Sequence, residues 1–154
     1  MVGRPRLVLA ALALVLPAAL LISCGGSDNE PDGAAATPVA PTGGELAIRA
    51  SEWRFEPPAI VLTQGEQVRF VLQNDGEILH DLKIRDLAVD SVSSNSSGPL
   101  EAKEGEAFVS ADSGNSGTLD FVPSQPGTYE FYCTIGNHEG LGMHGTITVQ
   151  PASE

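Results

Sequence analysis

Pro126-Gly127-Thr128-Tyr129-Glu130-Phe131-Tyr132-Cys133-Thr134-Ile135-Gly136-Asn137-His138-Glu139-Gly140-Leu141-Gly142-Met143 runs a turn, a strand and a loop together without a break. Pro126-Gly127 fits the centre of a tight turn. From Thr128 to Cys133 the residues alternate, so Tyr129, Phe131 and Cys133 share one face and Cys133 stands at the inner edge of a core. The loop that follows is rich in glycine. It carries a thiol, an imidazole and a thioether at equal steps, with Cys133, His138 and Met143 each five residues apart.

Working outward, the rest of the chain repeats short alternating segments punctuated by glycine and proline. Leu46–Ala50 reads as a first strand and Trp53-Arg54-Phe55 continues its alternation until Pro57-Pro58 breaks it. Ile60-Val61-Leu62, Val68–Leu72 and Leu79–Ile84 follow, separated by turns at Gln64-Gly65-Glu66 and Asn74-Asp75-Gly76. Thr118–Val122 and Gly145–Val149 complete the set. Residues 86–107 lose the pattern, and Ser91–Pro99 reads as a long mobile surface loop, with room for a short helix around Asp86–Ser91. Seven to eight short strands without a long amphipathic helix predict an all-β, Greek-key antiparallel β-sandwich. Trp53 is expected in its core.

The N-terminal 44 residues do not belong to that domain by composition. Arg4 and Arg6 precede an apolar run from Leu7 to Ile22 that Pro17 interrupts, which reads as a signal peptide over 1–23 and is too short and broken for a comfortable span. Leu21-Ile22-Ser23-Cys24 resembles the lipobox of bacterial lipoproteins. That resemblance implies cleavage after Ser23, a lipid on Cys24 and attachment to a membrane face without crossing it. An ordinary signal peptide that happens to hold a cysteine is the alternative. Residues 24–44 are mostly Gly, Ala, Pro, Ser and Asp, the composition of a flexible tether. The domain is then expected over 45–151.

Charge narrows the partners. Downstream of Ser23 six Lys and Arg face 20 Asp and Glu, six minus twenty, or −14. Such acidity argues against nucleic acid and against an anionic bilayer as direct ligands, and it permits steering toward a basic protein. The chain has two cysteines. With one expected to carry lipid and the other set among metal-ligating residues, a disulfide between Cys24 and Cys133 has little to offer.

The loop needs one more donor. His80 lies 53 residues before Cys133, on the Leu79–Ile84 segment, where a strand can deliver it to the same place. Two imidazoles, one thiolate and a weak thioether are the donor set of a mononuclear blue-copper site. Thiolate and thioether favour Cu(I) and imidazole suits both states, so three strong donors and one weak one compromise between the two. Taken singly, each of the four has a plainer role: a surface hydrogen-bonding histidine, a buried structural thiol, a solvated loop histidine, a core methionine.

Together these residues resemble a cupredoxin of the plastocyanin/azurin type. The likeness runs from about residue 45 to 150 through Trp53-Arg54-Phe55-Glu56-Pro57, the Gly65 turn, Leu79-His80-Asp81, Pro126–Tyr129 and Phe131-Tyr132-Cys133. The Cys-x4-His-x4-Met spacing is similar to that of auracyanins. The resemblance implies one type 1 copper held by His80, Cys133, His138 and Met143, with His138 near the surface as the electron exit and Ile135 and Leu141 beside it as a docking patch. His144 is expected to point away. Two positions depart from the family pattern: Asp81 where Asn is common after the first ligand, and Gly136-Asn137 where Pro-Gly is common before the second. Asn and Gly both tolerate positive φ, so the turn remains feasible.

The expected function is one-electron transfer, without enzymatic activity, between a redox donor and acceptor such as a cytochrome or a membrane redox complex. It would act outside the cytoplasm, lipid-anchored in the periplasm or on the outer face. Copper storage or delivery is the alternative, and a metal-free interaction sandwich a third.

Overall fold

The computed structural model describes residues 36–153. The expected signal segment, Cys24 and the first part of the tether lie outside the described residues. Among the described residues ten strands form: β1 Glu45–Ser51, β2 Arg54–Glu56, β3 Ala59–Thr63, β4 Val68–Asn74, β5 His80–Ile84, β6 Val89–Asn95, β7 Phe108–Ala111, β8 Ser116–Pro123, β9 Gly127–Tyr132 and β10 His144–Gln150. Among the described residues, no helix is long and apolar enough to cross a membrane.

Two five-stranded sheets result, in the orders β2-β1-β4-β8-β6 and β3-β10-β9-β5-β7. Alternation explains how they close on one another. Along β1 and β8 every second residue is buried, placing Leu46, Ile48 and Ala50 and then Leu119 and Phe121 inside. Phe70 and Phe121 meet edge to face at 5.0 Å, and Phe55 reaches Phe131 on the other sheet at 5.3 Å. Aromatic pairs of this kind add about 0.5–1.5 kcal/mol beyond the area they bury.

The expected sandwich is present, with three differences in detail. Two pairings are parallel, β1 with β4 and β3 with β10. A strand pattern carries no sign of direction, because alternation looks the same read either way. Second, the segment expected to be a structureless loop or a short helix contains β6, antiparallel to β8 with a register shift between Val89 and Ser91. Only Val89 and Val92 of β6 pack on the core, so its serines face water and leave no alternation to read. Third, β7 was not expected. All four of its residues are buried, and it pairs with β5 from Lys83 to His80.

Backbone pairing also occurs before Glu45. Within the stretch expected to be tether, Val39 bridges Ile60 in parallel and Thr42 bridges Glu45.

Candidate metal centre

Strands β5 and β9 lie side by side but pair at only two positions, Lys83 with Tyr132 and Ile84 with Phe131. Continued in the same register, Asp81 would face Thr134. The backbones instead diverge, and the Asp81 side chain spans the gap. Its two carboxylate oxygens accept from the Thr134 amide and the Thr134 hydroxyl, both at 2.6 Å. Asp81 is fully buried. Asp81, where Asn is common in the family this sequence resembles, thus holds Thr134 with one carboxylate supplying both acceptors.

Inside this fork three donors converge. His80 Nδ1 lies 4.0 Å from Cys133 Sγ, and His138 Nδ1 lies 3.4 Å from it. The ligand atoms of the three residues are all within 4.8 Å of one another, and all three residues are buried. Both imidazoles turn the same nitrogen toward a free thiol. Nitrogen, sulfur and nitrogen donors at these separations, shut away from water, fit a copper ion that prefers a thiolate and two imidazoles.

The loop has its own internal bracing. His138 N–H donates to Ile135 C=O at 3.0 Å, closing a tight turn in which Gly136 has φ 50°. That positive φ suits glycine, so Gly136-Asn137 performs the turn expected of it. Residues Glu139–Leu141 form one 3-10 turn. Met143 N–H then donates to His138 C=O, and Met143 C=O accepts from Cys133 N–H at 3.1 Å. Met143 is therefore pinned by its backbone to both loop ligands, and its side chain is buried. Outside, Arg85 lies over the Tyr132 ring at 4.1 Å and donates to Glu139 at 2.6 Å, tying the 3-10 turn to the sheet.

Upstream, Asn74 sets the approach to His80. Its side-chain amide donates to Ile78 C=O at 2.7 Å and to Ala111 C=O at 2.8 Å, while its oxygen accepts from Gly76 N–H. The sequence marks Asn74 as a turn residue but gives no sign of its bond to Ala111, 37 positions away. Glu52 is also unmarked in sequence, and its Oε1 lies 3.6 Å from His80 Nε2.

Electrostatics favour neutral donors before a metal arrives. Burial pushes the Cys133 thiol up to about 11. Burial, followed by the nearby His138, lowers His80 below the ordinary imidazole range. Both effects come from withdrawing charge from water.

Trp53 is not in the core. It is 37% exposed and stands edge-on to the His138 ring at 4.5 Å. It falls in the turn between β1 and β2, and Phe55 takes the core slot instead. His144 is exposed, outside the donor cluster, with Glu130 3.7 Å away. His138 itself is 7% exposed, beside Leu141 at 53%.

Residues 43–150 match the family described as copper binding proteins, plastocyanin/azurin family. A copper-resistant cuproprotein CopI of Pseudomonas aeruginosa is 27% identical over 69% of this chain and 76% of its own length. Plastocyanin of Prochlorothrix hollandica is 35% identical over 62% of this chain and 63% of its own. Among solved structures, the auracyanin of Roseiflexus castenholzii aligns with a TM-score of 0.56 at 21% identity, over 70% of this chain and 98% of that one. A multicopper oxidase aligns at 0.55 and 19% identity, with 71% of this chain and 45% of that one covered. At such identities the solved structures speak for the fold alone.

Proposed function

Because the chain belongs to the plastocyanin/azurin family of copper-binding proteins, we propose that it carries single electrons between redox proteins outside the cytoplasm. When bound, copper supplies the one-electron chemistry of the Cu(II)/Cu(I) couple. The protein's part is to present two imidazoles and a thiolate at fixed separations and to keep water away from them. The observation that carries this reading is the closed donor cluster of His80 on β5, Cys133 immediately after β9 and His138 on the braced loop. A site that keeps its shape in both oxidation states suits electron transfer, because little need move when charge changes. Met143, buried and bonded through its backbone to both Cys133 and His138, would supply the weak thioether donor.

His138 is the exit. Its ring is the donor nearest solvent, flanked by Trp53 and Leu141, and an apolar contact there brings a partner within reach of the copper. The acidic chain favours a basic partner surface around that contact. The partners we propose are a redox donor and acceptor, a cytochrome or membrane complex, with lipid on Cys24 holding the carrier near the membrane. No enzymatic step is assigned to it.

Visible and electron paramagnetic resonance spectra of the copper-loaded protein test the proposal. Intense thiolate-to-copper absorption is expected and should vanish in Cys133→Ser. Its absence from the parent protein would overturn the reading. A second reading has a specific motive, since two relatives bear the name copper-resistant cuproprotein. If copper passes rapidly to an acceptor chelator while electron self-exchange is slow, copper handling replaces electron transfer. The buried donors favour the carrier, because a delivery site must expose its ligands to the receiving protein.

A further inference from the structure

One polar atom at the centre has no partner. Among the described residues, His80 Nε2 is the buried side-chain nitrogen or oxygen left without a hydrogen bond. With Nδ1 turned to Cys133 Sγ, the neutral ring that can ligate through Nδ1 must carry its proton on Nε2. A buried N–H without an acceptor is destabilising, because it has given up water and gained no partner. The group facing it is the Glu52 carboxylate, with Oε1 3.6 Å away, slightly beyond hydrogen-bond range.

Glu52 is held there by other contacts. The same Oε1 accepts from Glu77 N–H at 2.8 Å. Gly76 leaves the space open: a Cβ at that position would stand 2.6 Å from Glu52 Oε1 and 2.9 Å from His80 Nε2. The carboxylate is partly exposed, whereas the imidazole it faces is fully buried. The two groups lie within about 1 Å of hydrogen-bond distance.

We propose that Glu52 is a positioning residue that accepts the Nε2 proton of His80, fixing its tautomer and favouring the more highly charged state of the bound copper. This deepens the proposed function and rests on it. The physical reason is general. A ligating imidazole that donates its far N–H to a carboxylate becomes a stronger base and is locked in orientation. A negative charge on that side stabilises Cu(II) more than Cu(I), so Glu52 holds the reduction potential down. The side chain lies on the β1–β2 turn, next to Trp53, which stands against the other imidazole. One turn thus touches both histidines.

The experiment uses the full chain in three forms: parent, Glu52→Gln and Gly76→Ala. Glutamine keeps an acceptor oxygen and removes the charge. Alanine at position 76 keeps the carboxylate but sets a methyl between it and the ring, crowding both Glu52 Oε1 and His80 Nε2. Loss of the charge should lower the ratio of Cu(II) to Cu(I) affinity about tenfold, equivalent to a rise of about 59 mV in the one-electron potential. Gly76→Ala should move the potential in the same direction. Long-range proton–nitrogen correlation spectra of the metal-free protein give a readout that needs no copper. They should show His80 protonated on Nε2 in the parent and a mixture of tautomers in Gly76→Ala. An Nδ1-protonated His80 in the parent, or potentials changed less than twofold in equilibrium terms in both variants, overturns the proposal. Failure to bind copper at all would sink the proposed function while the tautomer result still decided this one.

Discussion

Raising the pH from 7 to 9 should tighten copper binding about a hundredfold, because the thiol must surrender its proton before it ligates. Cys133 is buried and its thiol holds its proton up to about 11. At pH 7 that lies four pH units away, so displacing the proton weakens apparent affinity about 10,000-fold, or about 5 kcal/mol, relative to a free thiolate. Each pH unit gained returns a factor of ten until the thiol's own range is reached. His80 adds little above neutrality, because burial already lowers its proton affinity below the ordinary range. Competition against a chelator of known proton affinity measures the slope. Calorimetry in two buffers of different ionisation enthalpy counts the proton directly, with one released per copper expected at pH 7. A flat affinity between pH 7 and 9, or no proton released, would refute the reasoning and mean that the thiol is ionised already or does not ligate. Cys133→Ser should abolish the slope if the thiol is its source.

Without copper, stability should follow a dome of pH. His80 has its folded proton affinity lowered, so its contribution is present above about 6.5 and fades as pH falls below that value. Cys133 has its affinity raised from 9.0 to about 11, so its contribution is present below 9 and fades toward 11. Two pH units make the alkaline loss about 2–3 kcal/mol, visible in denaturant midpoints of the metal-free protein, and an unchanged midpoint up to pH 11 would contradict it. Asp81→Ala should cost about 1–3 kcal/mol, since it removes the acceptor of both the Thr134 amide and the Thr134 hydroxyl; Asp81→Asn should cost less than about 1 kcal/mol, because an amide offers both an acceptor and a donor. Equal losses in the two variants would show that the bonds do not matter. Trp53, the single tryptophan of the chain, stands 4.5 Å from the His138 ring, so Cu(II) loading should quench most of its fluorescence and reduction should restore part of it. Emission indifferent to copper would place the ring elsewhere.

The sheet strands were legible wherever one side is buried and the other wet, as along β1, β4 and β10, where alternation follows directly from burial. β6 was not, because its two anchoring valines are diluted by serines that solvate one whole face. β7 was hidden for the opposite reason. Phe108 to Ala111 are buried on both faces, so nothing alternates. The clustered donors His80, Cys133 and His138 could be read because chemistry restricts such donors to few residue types and one short loop sets the spacing of two of them. Their supports could not. Asn74 reaches Ala111, Glu52 faces His80 and Trp53 leans on His138 only after the chain has folded, and any of these three would be unremarkable in another turn. Asp81 lies between the two cases: its position beside a ligand drew attention, but its partner 53 residues away did not.

The fork between β5 and β9 has a kinetic side as well. Beyond Lys83 and Tyr132 the amide of Thr134 has no ladder partner and is held by a carboxylate alone. Its exchange with heavy water therefore requires only that one side chain swing aside, not that the sheet unzip. Strand amides such as those of β4 should exchange through much larger openings. The Thr134 proton is thus a built-in clock for the fork. In the metal-free protein it should run fast beside its strand neighbours, and copper, by joining the two prongs through His80 and Cys133, should slow it far more than it slows them.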